Sequence, residues 1–434
     1  MQKIPKIVIL GAGFGGLYTY LNLRKLLKPN EANVILVNDT NYFLFTPLLH
    51  EVATGGLNTQ HVIESIRHTL RNNNGDDLWL ARVESVHTQE CIVYTTEGKL
   101  PYDYLVVALG APTNFYGVKG AEQYSLKLDN LGDAYQLRNA LIDAFEKASK
   151  IQDPEELKKF LTFAVIGGGP TGVELAAEMA QLCFETFETY YKNIYCPQET
   201  TIYLIQRDKE LLPQFTPWIR KYTQRVLLQK EIRILLESIV TEVTPEGIFL
   251  TGGKFIAAPH VIWVAGVAPK LCPFTPAASC DTSGRVHVNQ FLLIRPEGTS
   301  PKDNLHIFAL GDNAHVTDAQ GKSLPMLAQV AVRQAPTVAH NIVALIRNKP
   351  LKKFHYRSQG SLISLGQWHA AGGLLGFIKV KGPLAWFIWR TVYLFKFPSW
   401  GKRLKIALDW TVNLFYPRDI ASLREVSRRE TKLK

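Results

Sequence analysis

The chain has 434 residues, with 49 Lys and Arg against 38 Asp and Glu, and 46% of its residues are hydrophobic. That length suits two or three domains with cores of their own, and 20% charged with 11% aromatic residues excludes a disordered chain. Its cysteines, Cys91, Cys183, Cys196, Cys272 and Cys280, form no CxxC pair and join no histidine cluster. A zinc site, an iron–sulfur cluster and a disulfide scaffold are therefore not expected, metal sites are read as none, and the pattern suits a reducing compartment.

The residues before Lys6 run straight into an apolar strand, so neither a signal peptide nor a transit peptide is expected before Gly11. No stretch reaches the roughly 18 apolar residues of a membrane-spanning helix. The first predicted strand, 6–10, leads into a glycine turn with Gly11, Gly13, Phe14, Gly15 and Gly16, a helix through Lys28 and a second strand at 33–37. A further strand is predicted at 104–108. The second glycine turn, with Gly167, Gly169, Thr171 and Gly172, follows a strand at 163–166 and precedes a helix over 173–191 and a strand at 201–205. Strands at 248–250, 260–264 and 306–310 follow, the last running into Gly311 and Asp312, with a helix starting near Met326. This alternation predicts an α/β protein with two Rossmann-like, parallel-sheet dinucleotide-binding domains.

A single GxGxxG is weak evidence; two, each between an apolar strand and a helix, imply two dinucleotides. The first glycine permits the turn, the second lets backbone approach a pyrophosphate, and the third allows helix and strand to pack closely. Free N–H groups at the helix N-terminus then face the phosphates. An acid should follow the second strand of each unit to hold a ribose hydroxyl. After the first unit stand Asn38 and Asp39; after the second stand Gln206 and Arg207, with no carboxylate to repel a 2′-phosphate. The second nucleotide is therefore expected to be NADH or NADPH, unless Arg207 merely points to solvent.

Charge is concentrated at the C-terminal end: 379–434 hold 13 Lys and Arg against 4 acids, most of the net +11. Aromatic residues crowd the same region. At about 100° per residue, one arc of a helix over 400–416 carries Trp400, Leu404, Ala407, Leu408, Val412, Leu414 and Phe415. The opposite arc carries Lys402, Lys405, Asp409 and Asn413, with Arg403 out of place on the apolar side. This predicts an amphipathic helical region lying on a membrane, cations toward anionic head groups. A hairpin packed on the body, a homodimer interface and a nucleic-acid patch are the alternatives.

With both units, 108–110, 264–266 and 309–312 in hand, the sequence resembles the two-dinucleotide flavoproteins of the disulfide-reductase superfamily. Within them it is most similar to the type II NADH:quinone oxidoreductases (alternative NADH dehydrogenases). The specific features are 41–49 with 52–56, 104–110 with Thr113, Asn114 and Phe115, 169–174, Leu212 and Pro213, Ala328 and Gln329, and the aromatic, basic end. The resemblance implies non-covalent FAD on the first glycine turn and NADH on the second. It implies FAD-binding parts at 1–115 and 285–350, an inserted NAD(P)H-binding domain at 116–284 and a membrane-association region at 351–434.

Carried over residue by residue, it puts Asn38 or Asp39 on the adenosine ribose and Asp312 on the flavin ribitol. Thr46, Pro47, Val83, Ala108, Gly110, Gly311 and Ala328 would line the flavin, while Gln206, Arg207 and Gly266 would join the nicotinamide nucleotide site. Glu174 would stand beside the nicotinamide and flavin, although an acid in a first helical turn is also favoured by the helix dipole alone. Gln329 and Arg333 would meet the quinone, Arg333 holding the position where relatives carry a second Gln; the other readings are that Arg333 pairs with an acid and that Gln334 has no role. The implied activity is non-pumping transfer of electrons from NADH through FAD to a quinone, by a peripheral protein on the cytoplasmic face of the cell membrane without nucleic acid. A flavoprotein reductase with a soluble acceptor and a flavin-binding signalling or nucleic-acid-associated protein are the rivals. No cysteine lies beyond Cys280, which disfavours disulfide and sulfide:quinone chemistry. His50, His61 and His315 show no paired ligand spacing and read as structural or solvent-exposed rather than catalytic.

Overall fold

A computed structural model describes residues 4–70, 75–270, 273–295, 306–318, 320–357, 360–374, 378–397 and 399–422. Cys272 and the basic stretch 423–434 lie outside the described residues. Contacts divide the chain into two compact units, 1–44 with 63–112 and 267–357, and 45–62 with 113–266 and 358–434.

The first unit holds a parallel sheet in the order Ile307–Ala309, Tyr104–Val107, Lys6–Leu10, Asn33–Asn38 and Asp77–Leu80. Its strands Lys6–Leu10 and Tyr104–Val107 are buried on both faces, as the apolar runs KIVIL and YLVV require. Helices Phe14–Leu26 and Ala328–Ile346 pack on one another. An antiparallel sheet of Val83–His87, Ile92–Thr95 and Gly98–Pro101 is extended by Phe274–Thr275. Val86, Val93 and Leu100 from it join Val8, Leu105 and Ile307 in one core.

The second unit repeats the design. Its parallel sheet runs Ser125–Leu126, His260–Trp263, Thr162–Ile166, Thr201–Ile205 and Arg233–Leu235. The helix expected over 173–191 begins earlier, as Pro170–Gln181, because Pro170 has the preset φ and missing N–H that suit a first helical position. It continues through a π-helical stretch, Leu182–Phe187, into Glu188–Tyr190.

The unit boundaries differ from the expected domain partition in several places. Segment 45–62, with helix Leu49–Ala53, joins the second unit rather than the first, and so does the C-terminal region. The first unit also resumes at 267 rather than 285. The C-terminal region folds as an antiparallel sheet, Gly360–Ser364, Ala370–Leu374 and Ile378–Lys381, followed by helices Gly382–Phe395 and Trp400–Phe415. Hydrogen bonds from these helices to 51–61 hold that segment to them.

Candidate functional site

In the first unit, the glycine turn has no room for side chains at two positions. A Cβ on Gly11, whose φ is +91°, would lie 2.3 Å from the Ala108 carbonyl oxygen, and one on Gly16 would lie 1.8 Å from that of Gly11. Gly13 faces open space, with nothing within 4 Å of an added Cβ. It caps helix Phe14–Leu26 without a side-chain hydrogen bond, leaving first-turn N–H groups for an anion.

Phe14 packs edge-on against Phe43, and Val83 is half-buried against the unit's core. Gly110, at φ +74°, donates its N–H to Asn313 Oδ1 at 2.9 Å. Burial pushes the Asp312 carboxyl up to about 6, against the pull of Arg285, and among the described residues nothing donates a hydrogen bond to it. A half-buried acceptor without a partner among the described residues, together with an open glycine turn in the same unit, fits a polyol hydroxyl and a pyrophosphate, so these residues fit FAD.

The expected ribose contact is different. Asn38 spends its side chain on the protein, accepting from Ala12 N–H at 2.9 Å and donating to Thr40, while Asp39 is drawn to Lys270 at 3.3 Å. Two residues hold roles that the sequence did not assign. Asn313 ties the Gly110 turn down on both sides, and the buried Gln334 accepts from Gly311 N–H at 2.6 Å, steadying the turn that carries Asp312. The signal for Gln334 was an amide on the inward face of an apolar helix.

Gln329 and Arg333 lie four residues apart on helix Ala328–Ile346 and so share a face with Ala328 nearby. Arg333 pairs with no acid among the described residues, and its Nε is buried without a partner. Thr46 and Pro47 open a short turn, Thr46–Leu48, that belongs to the second unit.

The second unit's glycine turn has the same construction. A Cβ on Gly167 would lie 2.6 Å from Ala265 Cα and one on Gly172 1.9 Å from the Gly167 carbonyl oxygen, while Gly169 is open. Gly169 also caps its helix without a side chain, and Thr171 is exposed at the opening. Gly266 is pressed against the Tyr116 hydroxyl and accepts from Asn114 N–H. Gln206 Oε1 accepts from Gly168 N–H at 3.0 Å and its Nε2 donates to Asp208 at 2.7 Å. Arg207 is exposed, its nearest acid Asp208 at 3.5 Å.

Glu174 stands beyond the first turn of helix Pro170–Gln181, which holds no acid, so the dipole reading of this residue fails. It is buried among other ionisable groups of the second unit. Its Oε1 accepts from Ser364 N–H at 3.1 Å, and its Oε2 lies 3.8 Å from His50 Nδ1. Burial, reinforced by Glu51 and Glu178, pushes its carboxyl up to about 8. Burial also lowers His50 to about 4, so both members of this contact are neutral at pH 7. Burial pushes Glu178 up, but Arg418, hydrogen-bonded to it, wins and holds the carboxylate below its usual range.

The C-terminal helices turn their apolar arc outward. Leu404 and Leu408 are 64% and 55% exposed, and Trp400, Val412 and Phe415 are exposed with them. On the polar arc Lys402, Asp409 and Asn413 face the protein instead of head groups, which corrects the expected placement of Lys402, while Lys405 is exposed. Lys402 donates to the Gln60 carbonyl, Asp409 accepts from His61 and Asn58 N–H, and Asn413 donates to the Gly56 carbonyl. Arg403, out of place on the helical wheel, donates to the Phe397 carbonyl and lies over the Trp400 ring. No helix of the described residues is long and apolar enough to cross a membrane.

Residues 5–335 match the pyridine nucleotide-disulphide oxidoreductase family model, and 358–419 match the NDH2 C-terminal domain. The chain is 32% identical over 416 residues to the demethylphylloquinone reductase NdbB of Synechocystis sp., covering 94% of this chain and 95% of that one. It is 31% identical over 424 residues to the type II NADH:quinone oxidoreductase of Haemophilus influenzae, covering 90% and 93%. In fold it is similar to NDH2 of Plasmodium falciparum solved with NADH, at a TM-score of 0.87 and 24% identity, covering 96% of this chain and all of that one.

Proposed function

The chain belongs to the type II NADH:quinone oxidoreductases of the pyridine nucleotide-disulphide oxidoreductase family, and we propose that its two glycine turns divide the cofactors, FAD on the first unit and NADH on the second. The enzyme passes electrons from NADH to a quinone without pumping protons, as a peripheral membrane protein. FAD, when bound, supplies the hydride-accepting and electron-passing chemistry.

The chain's own residues bind and orient. The N–H groups behind Gly13 and Gly169 take the two pyrophosphates. Asp312, held on its turn by Gln334 and Asn313, accepts from a ribitol hydroxyl. Arg333, with an unpartnered Nε, and Gln329 donate to the quinone head group, where a cation stabilises developing negative charge. Glu174, neutral at pH 7, is the buried acid of the nicotinamide site.

The observation that carries this reading is the pairing of two open glycine turns with a helix whose apolar arc faces outward. A lipid-soluble acceptor explains both; a soluble acceptor leaves the outward arc without a purpose, and a nucleic-acid patch would require cations where Leu404, Leu408 and Val412 stand. We place the enzyme on the cytoplasmic face, where buried thiols such as Cys183 and Cys196 stay reduced. A second copy of the chain on the same apolar arc is the competing occupant. The test is NADH oxidation with a short-chain quinone in the presence of liposomes. Turnover that Arg333→Ala lowers supports the assignment, and unchanged turnover in that variant removes Arg333 from the quinone site.

A further inference from the structure

The second unit carries a cleft of about 310 Å³ at the edge of its parallel sheet opposite the glycine turn. Thr162, which opens strand Thr162–Ile166, lines it, whereas Gly167 and the turn follow that strand's far end. At about 3.3 Å per residue, the strand holds the two about 16 Å apart. Four cations from three elements converge on the cleft. Lys158 and Lys159 come from the last turn of helix Pro154–Phe160, Arg233 from the start of strand Arg233–Leu235, and Lys254 from just ahead of strand Phe255–Ala257. One acid, Glu155, lines the cleft with them, and none of the four cations pairs with an acid among the described residues. The helix dipole accounts for lysines in a last helical turn, but not for Arg233 and Lys254, which lie outside that helix. Two rings complete the lining. Phe255 is 43% exposed, and Tyr203, the register neighbour of Arg233, lies 5.8 Å from its guanidinium and accepts from it at 3.3 Å.

We infer that this cleft binds a nucleoside diphosphate, at a site separate from the coenzyme's glycine turn. Like charges gathered on one concave surface repel each other until a counter-charge enters, and the cleft focuses their field on an anion. Lys158, Lys159 and Lys254 neutralise the phosphates, and Arg233, steadied by the Tyr203 ring and hydroxyl, offers the planar fork that matches phosphate oxygens. Phe255 supplies a flat apolar face for the base, which a bare inorganic anion would leave in water. The volume is at the lower end of small-ligand sites, which suits a ligand of this size with part of its surface left in solvent.

Calorimetric titration of the flavin-loaded enzyme with ADP, in saturating NAD+ so that the glycine turn is filled, reads the site directly. The expected result is one ADP per chain, bound about tenfold more tightly than pyrophosphate. Arg233→Ala combined with Lys254→Ala, both at exposed positions, weakens ADP at least about tenfold while KM for NADH changes less than about twofold, which shows the fold intact. Phe255→Ala brings ADP down to the affinity of pyrophosphate and leaves pyrophosphate itself unchanged. No ADP bound while NAD+ is present, or ADP affinity unchanged in the double variant, overturns the site. Pyrophosphate bound as tightly as ADP overturns the nucleoside as its ligand.

Discussion

Gln206 accepts a hydrogen bond from the Gly168 N–H at 3.0 Å, and Asn38 accepts one from Ala12 N–H at 2.9 Å at the matching place in the other unit. In both glycine turns, an amide stands where an acid is usual and closes the turn. Gln206 is also held by Asp208, leaving exposed Arg207 as the cation at the strand's end. NADPH is therefore expected to be accepted alongside NADH. Arg207→Ala is expected to lower kcat/KM for NADPH about tenfold, the worth of one ~1.4 kcal/mol contact, with NADH changed less than about twofold. Wild-type enzyme that excludes NADPH contradicts this.

The glycine turns give a second, paired prediction. Gly16→Ala forces a Cβ to 1.8 Å from a carbonyl oxygen, and Gly172→Ala does the same at 1.9 Å. The first variant should purify without flavin. The second should stay yellow, yet bleach with NADH at least about tenfold more slowly, since a distorted turn loses pyrophosphate contacts. Absorbance spectra and stopped-flow bleaching separate the two.

Stability should fall with alkaline pH. The Glu174 carboxyl is raised by burial from 4.5 to about 8, so the folded state binds more protons than the unfolded one between those values. Its stabilising contribution is complete below 4.5 and lost as pH rises through 8, on the order of a few kcal/mol. Glu174→Gln, which stays neutral, should flatten the decline in Tm between pH 5 and 9; an unchanged slope would show that Glu174 is not the group responsible.

The outward arc predicts a loss of membrane binding without a loss of fold. Leu404→Glu combined with Leu408→Glu, both at exposed positions, should reduce cosedimentation with anionic liposomes about tenfold while Tm stays within a few degrees. A shift from dimer to monomer with liposome binding intact would favour the second copy as occupant.

The two nucleotide turns were legible because each is local: an apolar strand, a glycine at positive φ and a helix within a few residues. The apolar arc at 400–415 was legible from helical periodicity for the same reason. What the arc's reverse side touches was not. Trp410 meets Glu51 across 359 positions, and that contact, with Asp409 on His61, gives segment 45–62 to the second unit. Periodicity marks a face as polar without telling whether water or a distant carbonyl satisfies it. The role of Gln334 was hidden for a similar reason, since its partner, Gly311 N–H, is set by packing and not by spacing.

The most direct measurement mixes purified enzyme with NADH under anaerobic conditions, follows the flavin absorbance, and then adds a quinone. The yellow colour should bleach with NADH and return on quinone addition. Flavin that stays bleached in the presence of quinone, or protein that carries no flavin at all, contradicts it.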